Sequence, residues 1–266
     1  MFSVGFFQFT PRFGKIKENL ERVLAALDDA AADVVVLPEL AFTGYYFRDR
    51  EELAGLAEDP RTSSTVARLT ALCAGRRLHL VAGFAEKAGD RLFNSALLIG
   101  PEGLRHTYRK IHLFNTEKDC FDPGDTPLAV VAVNGVNLGL MVCFDWVFPE
   151  VARTLALLGA DILCHPSNLV LTLCQKAMIT RSIENGIFTV TANRTGTERR
   201  PHGTLKFTGR SQITAPSGKI LGRASSRRDC LRVIEIDPLQ ARIQKITPKN
   251  HLLEDRRPEF YWSAGK

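Results

Sequence analysis

GLMVCFDWVFPEVARTLALLGAD, residues 139–161, reads as a strand, a sharp turn and a helix in direct succession. The apolar run Leu138–Val142 predicts the strand, and Pro149 to Leu158 the helix, with its proline in the first turn where the missing N–H costs nothing. DILCHPS (161–167) follows as a further strand. The same alternation extends outward in both directions. Downstream, Leu171–Asn185 predicts a helix, IFTVTAN (187–193) a strand, SQITAPSGKIL (211–221) a hairpin and CLRVIEI (230–236) a last strand. Upstream, LAVVAV (128–133) and NLGLMV (137–142) predict a hairpin turning at Asn134–Gly135. HLVAGFA (79–85), NSALLIG (94–100) and the stretch around His106–Tyr108 predict successive strands. Helices are expected over Gly14–Ala31 and residues 62–76, and a first strand over Val4–Phe9. VVVLPEL (34–40) is too apolar to alternate, as expected of a strand buried on both faces. No Gly-, Ser- or Pro-rich linker and no repeat interrupts this pattern. It predicts an α/β fold, one domain over residues 1–266 with a mixed central sheet.

Composition narrows the function. The 266 residues are 45% hydrophobic and 24% charged, the balance of an ordinary globular protein. No apolar run reaches the roughly eighteen residues of a membrane helix. The opening MFSVGFFQFTPRFGK lacks the basic start and small-residue cleavage site of a secretory signal, so a cytoplasmic protein is expected. The net charge of +6 is spread over the chain apart from GRR (75–77), ERRPHGTLK (198–206) and ASSRR (224–228). No aromatics interleave with these clusters, so they read as solvated surface and no nucleic-acid partner is expected. The six cysteines form no Cys-x-x-Cys pair and no zinc-site spacing.

Three positions stand out chemically. Cys143 lies at the strand-to-helix turn, where a helix N-terminus favours negative charge on a thiolate or a nearby oxyanion. Its position equally suits an inert buried cysteine. Glu39 ends an apolar strand, where burial raises a carboxyl's pKa toward proton-shuttling range; a partly exposed strand-end glutamate is the other reading. Lys110 closes RHTYRKIHLF (105–114), facing inward if Arg109 faces out, or else sitting solvated at an edge. His112 is an alternative base for Cys143, and Cys164–His165 a weak metal pair. No Gly-x-Ser-x-Gly elbow, phosphate-cradling loop or dinucleotide fingerprint competes.

Taken together, VVVLPELAFTGY (34–45), YRKIHLF (108–114) and the opening 139–161 segment resemble the glutamate, lysine and cysteine motifs of the nitrilase, or carbon–nitrogen hydrolase, superfamily. FNSALLIGPEG, FDPGD, ENGIFTVTANRTG and GRSQITAPSGKI resemble further family segments, so the likeness covers nearly the whole length. The resemblance implies a four-layer αββα sandwich of two mixed sheets that pairs into a homodimer or higher oligomer through helices 149–158 and 171–185. It implies Cys143 as nucleophile, Glu39 as general base, Lys110 as stabiliser of the tetrahedral intermediate and Glu117 as a supporting carboxylate. It implies no metal and no organic cofactor. Phe144 would supply an oxyanion-binding N–H, and Phe144–Asp145 resembles the amidase and carbamoylase branches, where true nitrilases have Trp-Glu. Trp146–Val147 stands where carboxylate-binding branches carry arginine. Tyr45, Tyr46, Phe114 and Trp146 then form an expected apolar wall, with Asn168 as a further pocket residue. The implied activity is hydrolysis of a small amide or N-carbamoyl amine. Nitrile hydrolysis, a catalytically silent member and a redox-sensing thiol are the alternatives.

Overall fold

The computed structural model describes residues 1–261. Strands β1 (Phe2–Gln8), β2 (Val34–Val36), β3 (His79–Ala88), β4 (Arg91–Gly100) and β5 (Gly103–Arg109) build one sheet. Strands β6 (Val130–Val133), β7 (Val136–Leu140), β8 (Ile162–Ser167) and β9 (Phe188–Asn193) build most of a second. A ribbon of β10 (Thr197–Arg200) and β11 (Gly203–Lys206) follows. Next, β12 (Gln212–Thr214) and β13 (Ile220–Arg223) complete the second sheet, and β14 (Cys230–Ile236) returns to the first. The orders are β14-β1-β2-β3-β4-β5 and β13-β12-β9-β8-β7-β6. Each sheet has a parallel centre, β1-β2-β3 in one and β7-β8-β9 in the other, with antiparallel neighbours outside. The apolar alternation alone suggested one central sheet. Twelve strands divide instead into two, because a twisted open sheet of that width buries its faces poorly.

The helices are α1 (Ile16–Leu27), a short α2 (Arg50–Ala54), α3 (Ser64–Arg76), a single turn α4 (Glu117–Cys120), α5 (Pro149–Leu157) and α6 (Cys174–Asn185). Strand alternation sorts the first sheet's side chains into two cores. Val4, Phe6, Val34, Val36, Val81, Ala96 and Leu98 face the second sheet's Leu138, Ile162 and Val190. Phe7, Val35, Leu80, Ala82, Leu97 and Ile99 face Leu20, Val23 and Leu27 of α1 and Val66, Leu69 and Cys73 of α3. The second sheet is backed by Val151, Ala152 and Leu155 of α5 and Met178 of α6. The result is a four-layer αββα sandwich.

Four local expectations change. The strand expected over 34–40 ends at Val36, since Pro38 has no N–H for the ladder and Leu40 turns to φ +48°. The helix expected from Gly14 begins at Ile16, after Gly14 at φ +69°. The helix expected from Leu171 begins at Cys174. The basic cluster 198–206 is the β10–β11 ribbon, with Glu198 turned inward and buried. The β6–β7 turn keeps its predicted form, Asn134 at φ +49° and Gly135 at +79°.

Gly83 fixes the segment that carries Glu39. A Cβ on Gly83 would lie 2.3 Å from the Glu39 Cα and 2.4 Å from the Pro38 oxygen. The missing side chain lets the 37–41 loop lie against β3, through Leu37 N–H to Val81 O (2.8 Å) and Ala41 N–H to Gly83 O (3.0 Å).

Candidate active site

Glu39 follows β2, Lys110 follows β5, Cys143 lies just beyond β7, and Asn168 follows β8. Ligands gather at such carboxyl ends because loops there are free to diverge while the strands fix their roots. All four residues are buried.

Lys110 is the hub. Its Nζ donates to Glu39 Oε1 (2.7 Å) and to both oxygens of Glu117 (2.9 and 2.8 Å). Glu117 also accepts from the Tyr45 hydroxyl (2.7 Å) and the Phe114 N–H (3.0 Å), so its lone pairs are well used. Glu39 Oε1 takes a second bond from Asn94 Nδ2 (2.7 Å), while Glu39 Oε2 is buried with no partner. Asn168 Nδ2 fixes the Glu39 backbone oxygen (2.9 Å). Burial pushes the Glu39 carboxyl above its usual range against the pull of the Lys110 ammonium, and the Glu117 charge pushes the same way. Burial works against the Lys110 charge, yet Glu117 and Glu39 together raise its pKa. Burial and the Glu39 charge hold the Cys143 thiol well above its ordinary value, offset by Lys110 and by the Asn168 backbone N–H. The Cys143 thiol thus lies beside a Lys110 held between Glu39 and Glu117, with Glu39 Oε2 unengaged.

Cys143 stands at φ +42° at the start of a 3-10 turn, Cys143–Val147. A left-handed non-glycine residue here must be held by its surroundings. Asp145 Oδ2 accepts from Val142 N–H (2.8 Å) and from the Tyr108 hydroxyl of β5 (2.7 Å), and Oδ1 pairs with His112 Nδ1 (2.9 Å). From β8, His165 Nε2 donates to the Cys143 carbonyl (2.9 Å), with Nδ1 3.1 Å from Thr191 Oγ1. Burial lowers the His165 pKa to about 4, so the ring stays neutral. Above pH ~6.5 the ring is neutral folded or unfolded. As pH falls from there toward 4, the unfolded chain takes up a proton that the folded one refuses. Stability should drop by about 3 kcal/mol across that window. Urea midpoints for wild type and His165→Gln between pH 7 and 4 test this; equal slopes would exclude His165 as the cause.

A narrow cleft opens over the sulfur, lined by Phe114, Phe144, Trp146, Asn168 and the apolar 169–171 segment. Its volume of about 20 Å³ holds little more than one water. Of the expected substrate-binding residues, Phe114, Phe144, Trp146 and Asn168 line this cleft, and Tyr45, Tyr46 and Asp145 do not. Tyr45 stands behind the cleft with its hydroxyl on Glu117, and the half-buried Tyr46 packs on His202. Asp145 is fully buried, its carboxylate spent on bracing the turn. His112 is no base for Cys143: it pairs with Asp145 and stacks on Phe148 at 3.7 Å. Cys164–His165 joins no metal-holding cluster among the described residues. Sequence reading passed over Asn94, Tyr108 and the bracing role of His165. The available signal was a polar side chain inside an apolar strand, as in FNSALLIG and DILCHPS.

The carbon–nitrogen hydrolase family pattern matches residues 3–244. The chain belongs to the carbon–nitrogen hydrolase family. This carbon–nitrogen hydrolase is 42% identical over 265 residues to a protein from Pyrococcus abyssi named "Nitrilase", covering 98% of this chain and 100% of that one. Among solved structures it resembles a carbon–nitrogen hydrolase from Helicobacter pylori, with TM-score 0.89, 28% identity, and 98% and 97% of the two chains covered. It also resembles a variant of the amidase from Nesterenkonia sp., with TM-score 0.79, 25% identity, and 97% and 98% covered. That structure shows the result of Michael addition of acrylamide at the active-site cysteine. Membership in this family supports an enzyme that hydrolyses carbon–nitrogen bonds. Among the described residues, no helix is long and apolar enough to cross a membrane.

Proposed function

We propose that this chain is an amidase, cleaving small uncharged amides or N-carbamoyl amines through a thioester at Cys143. The observation that carries the reading is the unengaged Glu39 Oε2 in a site whose other charges are already paired. That oxygen takes the thiol proton as the sulfur attacks the carbonyl carbon. The oxyanion forms against the Lys110 ammonium and the Phe144 N–H, and one such preorganised donor contributes about 3–4 kcal/mol in the transition state. Glu39 passes its proton to the departing nitrogen, and ammonia or amine leaves. A water molecule gives a proton to Glu39 and attacks the thioester, releasing the acid and restoring the thiol. Glu117 keeps Lys110 charged and aimed, and Tyr45 keeps Glu117 in place. The aromatic walls carry no cation, which suits an uncharged acyl group.

Nitrile hydrolysis is the second reading, favoured by the 42% identity to the Pyrococcus abyssi protein named for it. Ammonia release from a panel of simple amides, N-carbamoyl amines, N-carbamoyl amino acids and nitriles separates the two. Turnover of amides or carbamoyl amines, abolished in Cys143→Ala, supports the amidase. Turnover of nitriles alone overturns it in favour of the second reading.

A cytoplasmic homodimer is part of the same proposal. Leu157 at the end of α5, Leu158 just after it and Ile183 on α6 are about half exposed, an apolar surface suited to a second copy. Sedimentation should give a dimer for wild type and a monomer for Leu158→Asp combined with Ile183→Asp. A monomeric wild type would remove this part.

A further inference from the structure

Around the Glu39 carboxyl three buried acceptors are unpaired: Glu39 Oε2, Asn94 Oδ1 and Asn168 Oδ1. Neither Glu39 nor Asn94 lines the cleft over the sulfur. Asn168 does line it, is 2% exposed, and its orientation is built in. Its Nδ2 is committed to the Glu39 oxygen, and its backbone N–H faces the Cys143 sulfur. The next residue is anchored at both ends, Leu169 N–H on Asn193 Oδ1 (2.9 Å) and Leu169 O receiving Thr208 N–H (2.9 Å). With Nδ2 fixed on the protein, Oδ1 is left without a partner among the described residues. A buried acceptor without a donor is costly, so such an atom marks where a ligand's donor belongs.

We infer that Asn168 Oδ1 accepts one N–H of the leaving nitrogen, and that the site thereby favours an amide over an ester or a nitrile. This rests on the amidase reading and deepens it. A primary amide, –C(=O)NH2, carries two N–H bonds on the nitrogen that departs, and Asn168 supplies an unpaired acceptor at the cleft wall. Asn168 takes one N–H and turns the nitrogen lone pair toward Glu39, which holds the proton the nitrogen must receive. Carboxamides and the ureido end of N-carbamoyl amines share this group. A nitrile has no N–H and an ester has an oxygen there, so each leaves Asn168 Oδ1 unsatisfied.

The test compares kcat/KM for propionamide and methyl propionate, which form the same thioester, in wild type, Asn168→Leu and Asn168→Ser. In Asn168→Leu both values fall, and the amide-to-ester ratio should fall by about 10- to 100-fold, the effect of one hydrogen bond to a buried group. Asn168→Ser, which restores an acceptor, should recover part of that ratio. A ratio that stays constant while both activities drop would reduce Asn168 to a support for Glu39 and overturn the assignment. If neither Asn168 variant folds, calorimetry on Cys143→Ala decides. Propionamide should bind about tenfold more tightly than methyl propionate, and equal affinities would overturn the assignment. Wild type that cleaves the ester but no amide would instead bring down the amidase reading itself.

Discussion

Cys143→Ala should lower kcat on the best amide by about 10⁴-fold or more while leaving the melting temperature within a few degrees of wild type. The loss is large because no second nucleophile is in place. Lys110 and Glu117 are tied to each other, and His112 is tied to Asp145. The residual rate would come from the oxyanion-binding groups acting on a water molecule. The fold should tolerate the change because alanine keeps the Cβ that the φ +42° turn already accommodates. The braces of that turn run to the Val142 N–H and the Cys143 carbonyl, neither of which involves the thiol. Single-turnover assays with a chromogenic amide, paired with thermal melts, read both quantities. Turnover surviving in the variant would remove Cys143 from the mechanism.

Lys110→Met should cost about 3–5 kcal/mol of stability near neutral pH, besides reducing kcat by about 10²- to 10³-fold. The side chain is fully buried between two carboxylates, and methionine fills a similar volume without charge. Two buried anions then face each other with no cation between them. Glu39, already raised by burial, rises further and takes up a proton at a pH where the unfolded chain does not. A carboxyl whose folded pKa exceeds its unfolded value gains stability as pH falls through the folded value. The variant's deficit should therefore shrink between pH 8 and 5, and Glu117→Gln added to Lys110→Met should recover part of it. Denaturant titrations of the single and double variants measure this; additive losses would show that the carboxylates do not share the lysine.

Much of the fold was legible from the apolar pattern, because strand and helix periods are written in side chains that each segment carries itself. Val34–Val36 and Leu138–Leu140 announce buried strands without reference to anything distant. The exact end of β2 was not legible: it depends on Gly83, more than forty positions away, allowing the loop to lie flat against β3. Division into two sheets came from the family resemblance and not from periodicity, which carries no strand order. At the site, Glu39, Lys110, Glu117 and Cys143 were named by motif, and their side chains meet or lie close together. Aromatic residues were read less well. Tyr45 and Phe114 look alike in sequence, yet one supports a carboxylate from behind and the other walls the cleft. Which way an aromatic ring faces is decided by partners such as Glu198, which receives the Tyr45 and Tyr46 N–H groups while paired with the buried Arg194.

The Tyr108–Asp145 hydrogen bond joins the two halves of the sandwich at the turn that carries Cys143. Glu39 and Lys110 are rooted in one sheet, Cys143 and Asn168 in the other. The reacting groups therefore assemble only when the sheets are in correct alignment across their shared core. A cavity cut into that core at Val36, Val81 or Leu138, none of which touches substrate, acts on the reaction as a slipped seam would. Activity is then a finer gauge of core packing than unfolding is, since a fraction of an ångström matters to proton transfer long before it matters to the overall fold.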